Sequence, residues 1–204
     1  RARIVERLHQ SGPTVSQTVA RLERDGLLTV QDNRRIELSE IGWERARKVM
    51  RKHRLAERML SDIIGLDYSI VHEEACKLEH VFGDAIEERL TVLLNSPQLS
   101  PYGCPIPSLE GELHPEVFRE GVVALAEVVT GEVQSFNLVR LSEFVQADEM
   151  ALTGLKDVGV VPDVAISAVE VHSAVEIRGP EGRVRVDKAI AGGLWVADKE
   201  AVAH

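Results

Sequence analysis

The chain has 204 residues, a net charge of −9 and 44% hydrophobic residues, enough for one or two ordinary cores and a third small unit. It has no apolar run of about 18 residues, which excludes a predicted transmembrane helix, and it shows no signal-peptide pattern. Its two cysteines argue against a disulfide scaffold and favour a protein of the reducing cytoplasm.

The charge is divided unevenly along the chain. Residues 1–60 carry 14 Lys+Arg and 8 Asp+Glu, a net of +6, whereas residues 61–204 carry 10 and 25, a net of −15. A basic segment suits contact with nucleic-acid phosphates. The alternative is a solvated asymmetry without function, which is less favoured because the division coincides with a motif boundary.

The N-terminal segment has the pattern of two short helices joined by a tight turn. Residues 1–10 predict an amphipathic helix, the sequence SGPT at 11–14 interrupts it, and residues 13–26 predict a second helix that ends at a glycine. This arrangement is typical of a helix-turn-helix. A compact domain of this type normally has a further helix before the pair, so we expect a preceding segment in the full protein.

A predicted wing follows the helix-turn-helix. Residues 27–39 predict two strands around a turn at Asp32 and Asn33, with two arginines at the end of the turn. Residues 1–47 therefore predict a winged helix-turn-helix DNA-binding domain that lacks its first helix.

The second helix would present a polar face to DNA. Hydroxyls and backbone N–H groups at a helix N-terminus suit phosphate oxygens, and Gln17 is best placed to hydrogen-bond a base edge. The alternative is a helical hairpin with an ordinary polar surface. The residues predicted to contact DNA are Arg1, Ser11, Pro13, Thr14, Ser16, Gln17, Arg21 and Arg24.

The next part of the chain predicts a helical domain over residues 48–114. A long connecting helix is predicted over 40–62, and two further helices over 69–82 and 84–95. Helical hairpins of this kind often form a dimer interface. The apolar residues predicted to face inward are Val71, Ala75, Leu78, Val81, Ile86, Leu90 and Leu93.

Six candidate metal ligands fall on these helices. His53 and Glu57 lie four residues apart on the first helix, and four more share one face of the second: His72, Cys76, Glu79 and His80. Imidazole, thiolate and carboxylate together suit Fe(II), Co(II), Ni(II) or Zn(II) better than Mg or Ca. Taken singly, each has an ordinary alternative, since a histidine is often a core or surface residue and a lone cysteine is usually a small buried hydrophobe.

The six residues divide into two groups by position. His53, Glu57 and His72 could form one site, and a second could consist of Cys76, Glu79 and His80. The remaining cysteine, Cys104, is interpreted as structural or incidental. We therefore predict a metal-binding function for the helical domain.

The C-terminal part changes in character. Residues 96–120 are Pro-rich, a linker is predicted over 115–125, and residues 126–204 contain short Val-rich segments separated by turn signals. The sequence GPEG at 179–182 predicts a hairpin turn, and one helix is predicted near residues 150–160. The predicted architecture is a mainly α N-terminal part followed by a small β-barrel, a multi-domain α+β protein.

Three segments closely resemble the diphtheria-toxin-repressor family of iron-dependent regulators: RARIVERLHQSGPTVSQTVARLERDGL, RKHRLAERMLSDIIGLD and VHEEACKLEHV. The match is specific over about residues 1–107 and looser over LVRLSEFVQADEMALTGLKDVGVVPD. The resemblance implies a winged helix domain, a helical metal-binding and dimerisation domain, and an SH3-like barrel.

The resemblance also implies two metal sites. The family's ancillary site corresponds to His53, Glu57, His72, Glu143 and Gln146. Its primary site corresponds to Cys76, Glu79 and His80, with the Cys76 carbonyl and a Met ligand that lies before the printed sequence. Cysteine at position 76 is similar to the iron-responsive branch, whereas the manganese-responsive branch typically has a carboxylate there.

The function implied is that of an Fe²⁺-dependent repressor of iron uptake and homeostasis genes, with Co²⁺, Ni²⁺, Zn²⁺ and Mn²⁺ also binding in vitro. Its partner would be double-stranded palindromic operator DNA, bound by a homodimer and often by two dimers, and we expect no membrane partner.

Three alternatives remain open. The first is a manganese- or zinc-responsive regulator of the same family, because ligand lists determine metal selectivity poorly. The second is a metal-dependent hydrolase, which is disfavoured because the sequence offers no separate catalytic constellation; we predict no enzyme. The third is a constitutive DNA binder with a structural metal.

Overall fold

The computed structural model describes residues 11–108 and 118–198. The predicted first helix at 1–10, including Arg1, lies outside these residues. Within the two described ranges, no helix has both the length and the apolar character needed to cross a membrane.

The N-terminal unit is a helix followed by a two-stranded wing. Helix α1 (Gly12–Arg24) is followed by strands β1 (Leu28–Val30) and β2 (Ile36–Leu38), which pair antiparallel. The side chain of Ser11 caps α1, and a proline stands at the start of the helix, where its missing N–H has no intrahelical acceptor. A small separate core joins the helix to the wing through Val15, Val19 and Leu28. The predicted helix and wing are confirmed.

Three further helical segments form the middle of the chain. Helix α2 (Glu40–Arg58) continues into a π-helical segment (Met59–Ile64) that ends at Gly65, whose φ is 74°. Helices α3 (Val71–Leu78) and α4 (Asp84–Leu93) follow. Helix α2 crosses the predicted boundary between the first two domains, so the winged-helix unit and the helical unit share one continuous element.

The prediction of inward-facing residues on α3 and α4 was partly wrong. Val71, Ala75 and Leu90 are buried, but Val81, Ile86 and Leu93 are 69%, 46% and 63% exposed. Val81 lies beyond the end of α3, and α4 buries only the face that carries Glu87 and Leu90. The remaining apolar face of α4 is therefore uncovered in a single chain.

The C-terminal part is a six-stranded antiparallel sheet in the order β3-β8-β4-β5-β6-β7. Its strands are β3 (Val122–Ala124), β4 (Gln134–Leu141), β5 (Ala165–Val171), β6 (Ala174–Arg178), β7 (Arg183–Asp187) and β8 (Leu194–Ala197). Four short helices connect them: α5 (Leu125–Val128), α6 (Glu143–Gln146), α7 (Glu149–Asp157) and α8 (Lys188–Ala191). The predicted turn at 179–182 joins β6 to β7, and strand β3 begins within the segment predicted as linker.

The barrel packs directly on the helical unit. Ala56, Leu60, Val71 and Ala75 belong to the same buried cluster as the apolar residues of the barrel, and Tyr102 of the irregular segment completes it. An ion pair between Lys156 Nζ and Asp67 Oδ2, at 2.6 Å, joins the two units at the surface. Burial of one shared core fixes the barrel next to the helices that carry the candidate ligands.

Candidate metal centre

Two helices bring the candidate ligands together. His53 and Glu57 lie one turn apart on α2, and His72 and Cys76 lie one turn apart on α3, so each pair projects from one helix face. Glu79 follows the last residue of α3. One ligand atom from each of His53, His72 and Cys76 lies within 4.8 Å of the ligand atoms of the other two.

Glu57 lies at the buried side of the cluster. Its Oε1 is 2.8 Å from His53 Nε2 and 3.2 Å from His72 Nδ1. Its second oxygen, Oε2, is buried without a hydrogen-bond partner. A buried, unsatisfied carboxylate oxygen is costly in a protein interior, so this atom fits a site that holds a further cation.

The other imidazole nitrogens face Cys76 and Glu79. His72 Nε2 is 3.7 Å from Cys76 Sγ, and His53 Nδ1 is 4.0 Å from the same sulfur. His53 Nδ1 is also 2.7 Å from Glu79 Oε2. The sulfur, nitrogen and oxygen donors match those that bind transition metals, so the residues present fit a divalent ion of that class.

Hydrogen bonds within the cluster shift the pKa values of the two histidines and of Cys76. Burial would lower the pKa of His53, but hydrogen bonds to Cys76, Glu57 and Glu79 outweigh it and raise the pKa to about 11. The pKa of His72 is raised to about 9 by Cys76 and Glu57, again against the effect of burial. Hydrogen bonds from the two histidines lower the pKa of Cys76 to about 6, which favours the thiolate that metals bind.

His80 stands apart from the other helical ligands. Its side chain is 71% exposed, and its Nε2 is 3.3 Å from Glu79 Oε1. The structure therefore brings five of the six helical candidates into one cluster and leaves His80 at its rim, in contact through Glu79. The two predicted groups of three are not separate in space.

The two barrel candidates have other partners in this structure. Glu143 Oε1 accepts a hydrogen bond from Arg54 Nη2 at 2.5 Å, and Gln146 Nε2 donates to the Leu141 carbonyl at 2.6 Å. Gln146 also lies 3.6 Å from the buried sulfur of Cys104, whose pKa burial raises to about 12. Within the two described ranges, no hydrogen bond or ion pair joins either barrel residue to the histidine cluster.

Arg54 is a buried residue beside the candidate ligands whose position the sequence did not reveal. Only 2% of its side chain is exposed. Arg54 directly follows His53 in α2. It donates to the Pro105 carbonyl and to Glu143, and its guanidinium lies 4.7 Å from the ring centre of Phe118. A basic residue in a charged helix gives no sign of burial, because burial depends on the segment and barrel that pack over it.

The DNA-facing candidates are accessible on α1. Pro13, Thr14, Gln17, Arg21 and Arg24 are exposed, as is the capping residue, and only Ser16 is half-buried. At the start of the helix, Ser11 Oγ lies 2.7 Å from Thr14 Oγ1. Helix α1 therefore presents an amide, hydroxyls and two guanidinium groups to solvent. The face that carries them lies opposite Val15 and Val19, which pack in the core.

Two family profiles together match most of the N-terminal half of the chain. The profile described as "Iron dependent repressor, N-terminal DNA binding domain" matches residues 1–36, and "Iron dependent repressor, metal binding and dimerisation domain" matches residues 39–108. The chain is 51% identical over 170 residues to the iron-dependent repressor IdeR of Mycobacterium tuberculosis, covering 82% of this chain and 74% of that protein. The chain belongs to the iron-dependent repressor family.

Other relatives and solved structures agree with this assignment. This repressor is 43% identical over 186 residues to the diphtheria toxin repressor of Corynebacterium diphtheriae, covering 90% of this chain and 78% of that protein. It resembles the solved manganese regulator SloR with a TM-score of 0.78 and 26% identity, over 97% of this chain and 88% of that one. Its likeness to T. acidophilum IdeR, at 24% identity and a TM-score of 0.76 over 96% and 87% of the two chains, supports the fold alone.

Proposed function

We propose that this protein is an Fe²⁺-dependent transcriptional repressor that binds palindromic operator DNA as a homodimer and controls iron uptake and homeostasis genes. The observation that carries the proposal is the cluster of imidazole, thiolate and carboxylate groups between the helix that follows the wing and the next helix, in which both imidazoles are buried. Such a protein acts on DNA in the cytoplasm, and two dimers on one operator is the arrangement we expect.

The metal ligands are assigned from the family resemblance. Cys76, Glu79 and His80 would form the primary site, together with the methionine ligand that the family resemblance implies. The ancillary site would consist of His53, Glu57, His72, Glu143 and Gln146. Glu143 Oε1 accepts from Arg54 and Gln146 donates through Nε2 to the Leu141 carbonyl, so Glu143 Oε2 and Gln146 Oε1 are the atoms that would join this site.

A bound divalent ion would supply a positive centre that holds imidazole, thiolate and carboxylate ligands at short distances. His53 and Glu57 belong to α2, whereas His72 and Cys76 belong to α3, so shared coordination would hold these helices together. Metal binding would therefore fix α2, the helix that connects the ligands to the DNA-binding unit.

The connection between α2 and the DNA-binding unit is short. Ser39 caps α2 through its hydroxyl, which accepts from Gly42 N at 3.1 Å and donates to the Gly26 carbonyl at 2.6 Å. The Ser39 backbone N–H donates to the Leu27 carbonyl at 3.0 Å. These bonds join the start of α2 to Gly26 and Leu27, in the turn that follows α1. A metal that orders α2 would therefore also reduce the conformational entropy that α1 loses when it binds DNA.

The DNA contacts follow the exposed face of α1. Gln17 would hydrogen-bond a base edge in the major groove, Ser11, Thr14 and Ser16 would meet phosphate oxygens, and Pro13 would touch a thymine methyl group. Arg21 and Arg24, with Arg1 before them, would add charge attraction to the backbone. A manganese- or zinc-responsive repressor is the alternative, and Cys76 favours iron over manganese because a thiolate is a softer ligand than a carboxylate.

The test is anaerobic fluorescence anisotropy of the full-length protein on a labelled palindromic operator fragment. Fe²⁺ should increase binding, a chelator should reverse it, and Cys76→Ala should abolish the response while circular dichroism stays unchanged. Operator affinity that ignores Fe²⁺ and chelator would contradict the proposal and leave a constitutive DNA binder with a structural metal.

A further inference from the structure

Arg54 joins the helix that carries two of the proposed ligands to the short barrel helix that carries two more. It directly follows His53 in α2, and its guanidinium reaches α6, where Nη2 lies 2.5 Å from Glu143 Oε1. Only 2% of the Arg54 side chain is exposed, compared with 42% of the Glu143 side chain. The buried member of this ion pair is therefore the arginine, and what holds the arginine decides where the carboxylate lies.

Contacts outside α6 hold the guanidinium of Arg54. Its Nη1 donates to the Pro105 carbonyl, and its central carbon lies 4.7 Å from the ring centre of Phe118. The Phe118 carbonyl accepts a hydrogen bond from Arg140 Nη1 at 2.5 Å, which attaches this residue to strand β4. A guanidinium is planar, so a ring on its face and an acceptor on one of its edges fix the direction in which the remaining N–H groups donate. The donor that meets Glu143 is therefore held in place by groups other than Glu143.

The ion pair uses one oxygen of Glu143. A carboxylate has two oxygens, and because Oε1 accepts from Arg54, Oε2 is the atom that is left to bind a metal. Gln146 lies three residues further on α6 and has a similar arrangement, since its Nε2 donates to the Leu141 carbonyl at 2.6 Å. A carbonyl can only accept, so this bond fixes which end of the Gln146 amide is the nitrogen and leaves the oxygen on the other side.

We propose that Arg54 is a positioning residue of the ancillary site, which binds no metal itself and orients Glu143 by holding its Oε1. The inference rests on the proposed function, which assigns Glu143 to that site, and it adds a residue to which the family resemblance gave no role there. Residues that hydrogen-bond a metal-binding carboxylate orient it, and their loss typically lowers metal affinity about 10–100-fold. A carboxylate already held in one orientation also loses less side-chain entropy when the ion binds.

The charge of Arg54 and its positioning role predict effects of opposite sign. A positive charge near the site repels a divalent cation, so removal of the charge by itself would strengthen metal binding. Loss of the orientation of Glu143 would weaken it. A weaker ancillary site in a variant without the guanidinium therefore reports positioning.

The experiment is an anaerobic titration of the full-length protein with Co²⁺, followed by calorimetry and by absorbance. The primary site contains the Cys76 thiolate and should give a thiolate-to-cobalt charge-transfer band, whereas the ancillary ligands include no sulfur, so the two sites can be told apart. Arg54→Gln should weaken the ancillary site by about 10–100-fold and leave the charge-transfer band unchanged. Unchanged or stronger binding at the ancillary site would overturn the proposal.

Lys156→Gln is the matched control for attachment of the barrel. It removes another ion pair between the barrel and the helical unit, from Lys156 Nζ to Asp67 Oδ2 at 2.6 Å, and neither residue is assigned to a metal site. Both sites should keep their Co²⁺ affinity in this variant. An equal loss in Lys156→Gln and Arg54→Gln would mean that Arg54 only attaches the barrel, which would overturn its positioning role.

A double variant tests whether Arg54 acts through Glu143. If it does, Arg54→Gln combined with Glu143→Ala should bind Co²⁺ at the ancillary site as Glu143→Ala alone does, whereas two losses that multiply would overturn the proposal. If Arg54→Gln does not fold, Arg54→Lys replaces it in both comparisons. Lysine keeps the buried charge but lacks the planar fork that donates to Pro105 and Glu143 together, so the same weakening is expected.

Failure of this inference and failure of the proposed function give different results. Fe²⁺-dependent operator binding is measured by anisotropy on the unaltered protein. Fe²⁺ activation together with an ancillary site that ignores Arg54→Gln would overturn the positioning role alone. A weakened ancillary site in Arg54→Gln, in a protein whose operator binding ignores Fe²⁺, would overturn the repressor assignment alone.

Discussion

At the scale of residues, the proposed DNA contacts and metal ligands can each be tested by a single substitution. Gln17 is the exposed amide on the outer face of α1. Gln17→Ala should reduce discrimination between operator and altered operator by about 1–3 kcal/mol, because one bidentate base contact is lost. Anisotropy titrations on operator and random DNA measure this, and an equal loss on both would mean that Gln17 only positions the protein.

Metal binding should release protons, because the histidines of the cluster hold them in the metal-free protein. With pKa values raised to about 11 and about 9, His53 and His72 are protonated at pH 7, whereas Cys76, lowered to about 6, is already a thiolate. A metal must displace the imidazole protons, so its apparent affinity should rise as the pH increases from 7 toward 9. Calorimetry with Co²⁺ in buffers of different ionisation enthalpy should find more than one proton released per ion. A proton count near zero at pH 7 would contradict this.

At the scale of elements, the start of α2 depends on close contact with the turn that follows α1. A Cβ at Gly42 would lie 1.9 Å from the Leu27 carbonyl oxygen. Gly42→Ala should therefore lower the free energy of unfolding by about 1–3 kcal/mol despite the higher helix propensity of alanine. Gly12→Ala is the matched control, since a Cβ there meets no atom within 4 Å. Urea unfolding of both variants measures the difference, and equal stability would mean that α2 can shift away from Leu27 without cost.

Element types could be predicted well where the local pattern is strong. The α1 helix, the wing, the helix near residue 150 and the hairpin at 179–182 all followed from capping, turn residues and alternation. The π-helical continuation of α2 and the exposure of Val81, Ile86 and Leu93 did not, because the apolar period of a helix does not tell which neighbours cover it.

At the scale of the whole molecule, the uncovered face of α4 should form the homodimer interface. Ile86, Val92 and Leu93 are exposed on one helix of the part that matches a metal-binding and dimerisation domain. Leu93→Lys should shift the protein toward monomer, because a buried unpaired charge opposes association. Analytical ultracentrifugation measures the shift, and Val133→Lys on the barrel is the control, since Val133 is 73% exposed. A dimer unchanged by Leu93→Lys would place the interface elsewhere.

The sequence by itself determined the order of the units, the helix predicted to contact DNA and the residue types proposed as metal ligands, because capping, periodicity and i, i+4 spacing are local properties of the chain. Only the tertiary structure decided which of those residues meet. Packing of α2 against α3 joined His53, Glu57, His72 and Cys76 into one cluster, and packing of the barrel paired Glu143 with a buried Arg54 instead. Distances between side chains far apart in sequence depend on how helices and sheet cover one another, and no local pattern encodes that.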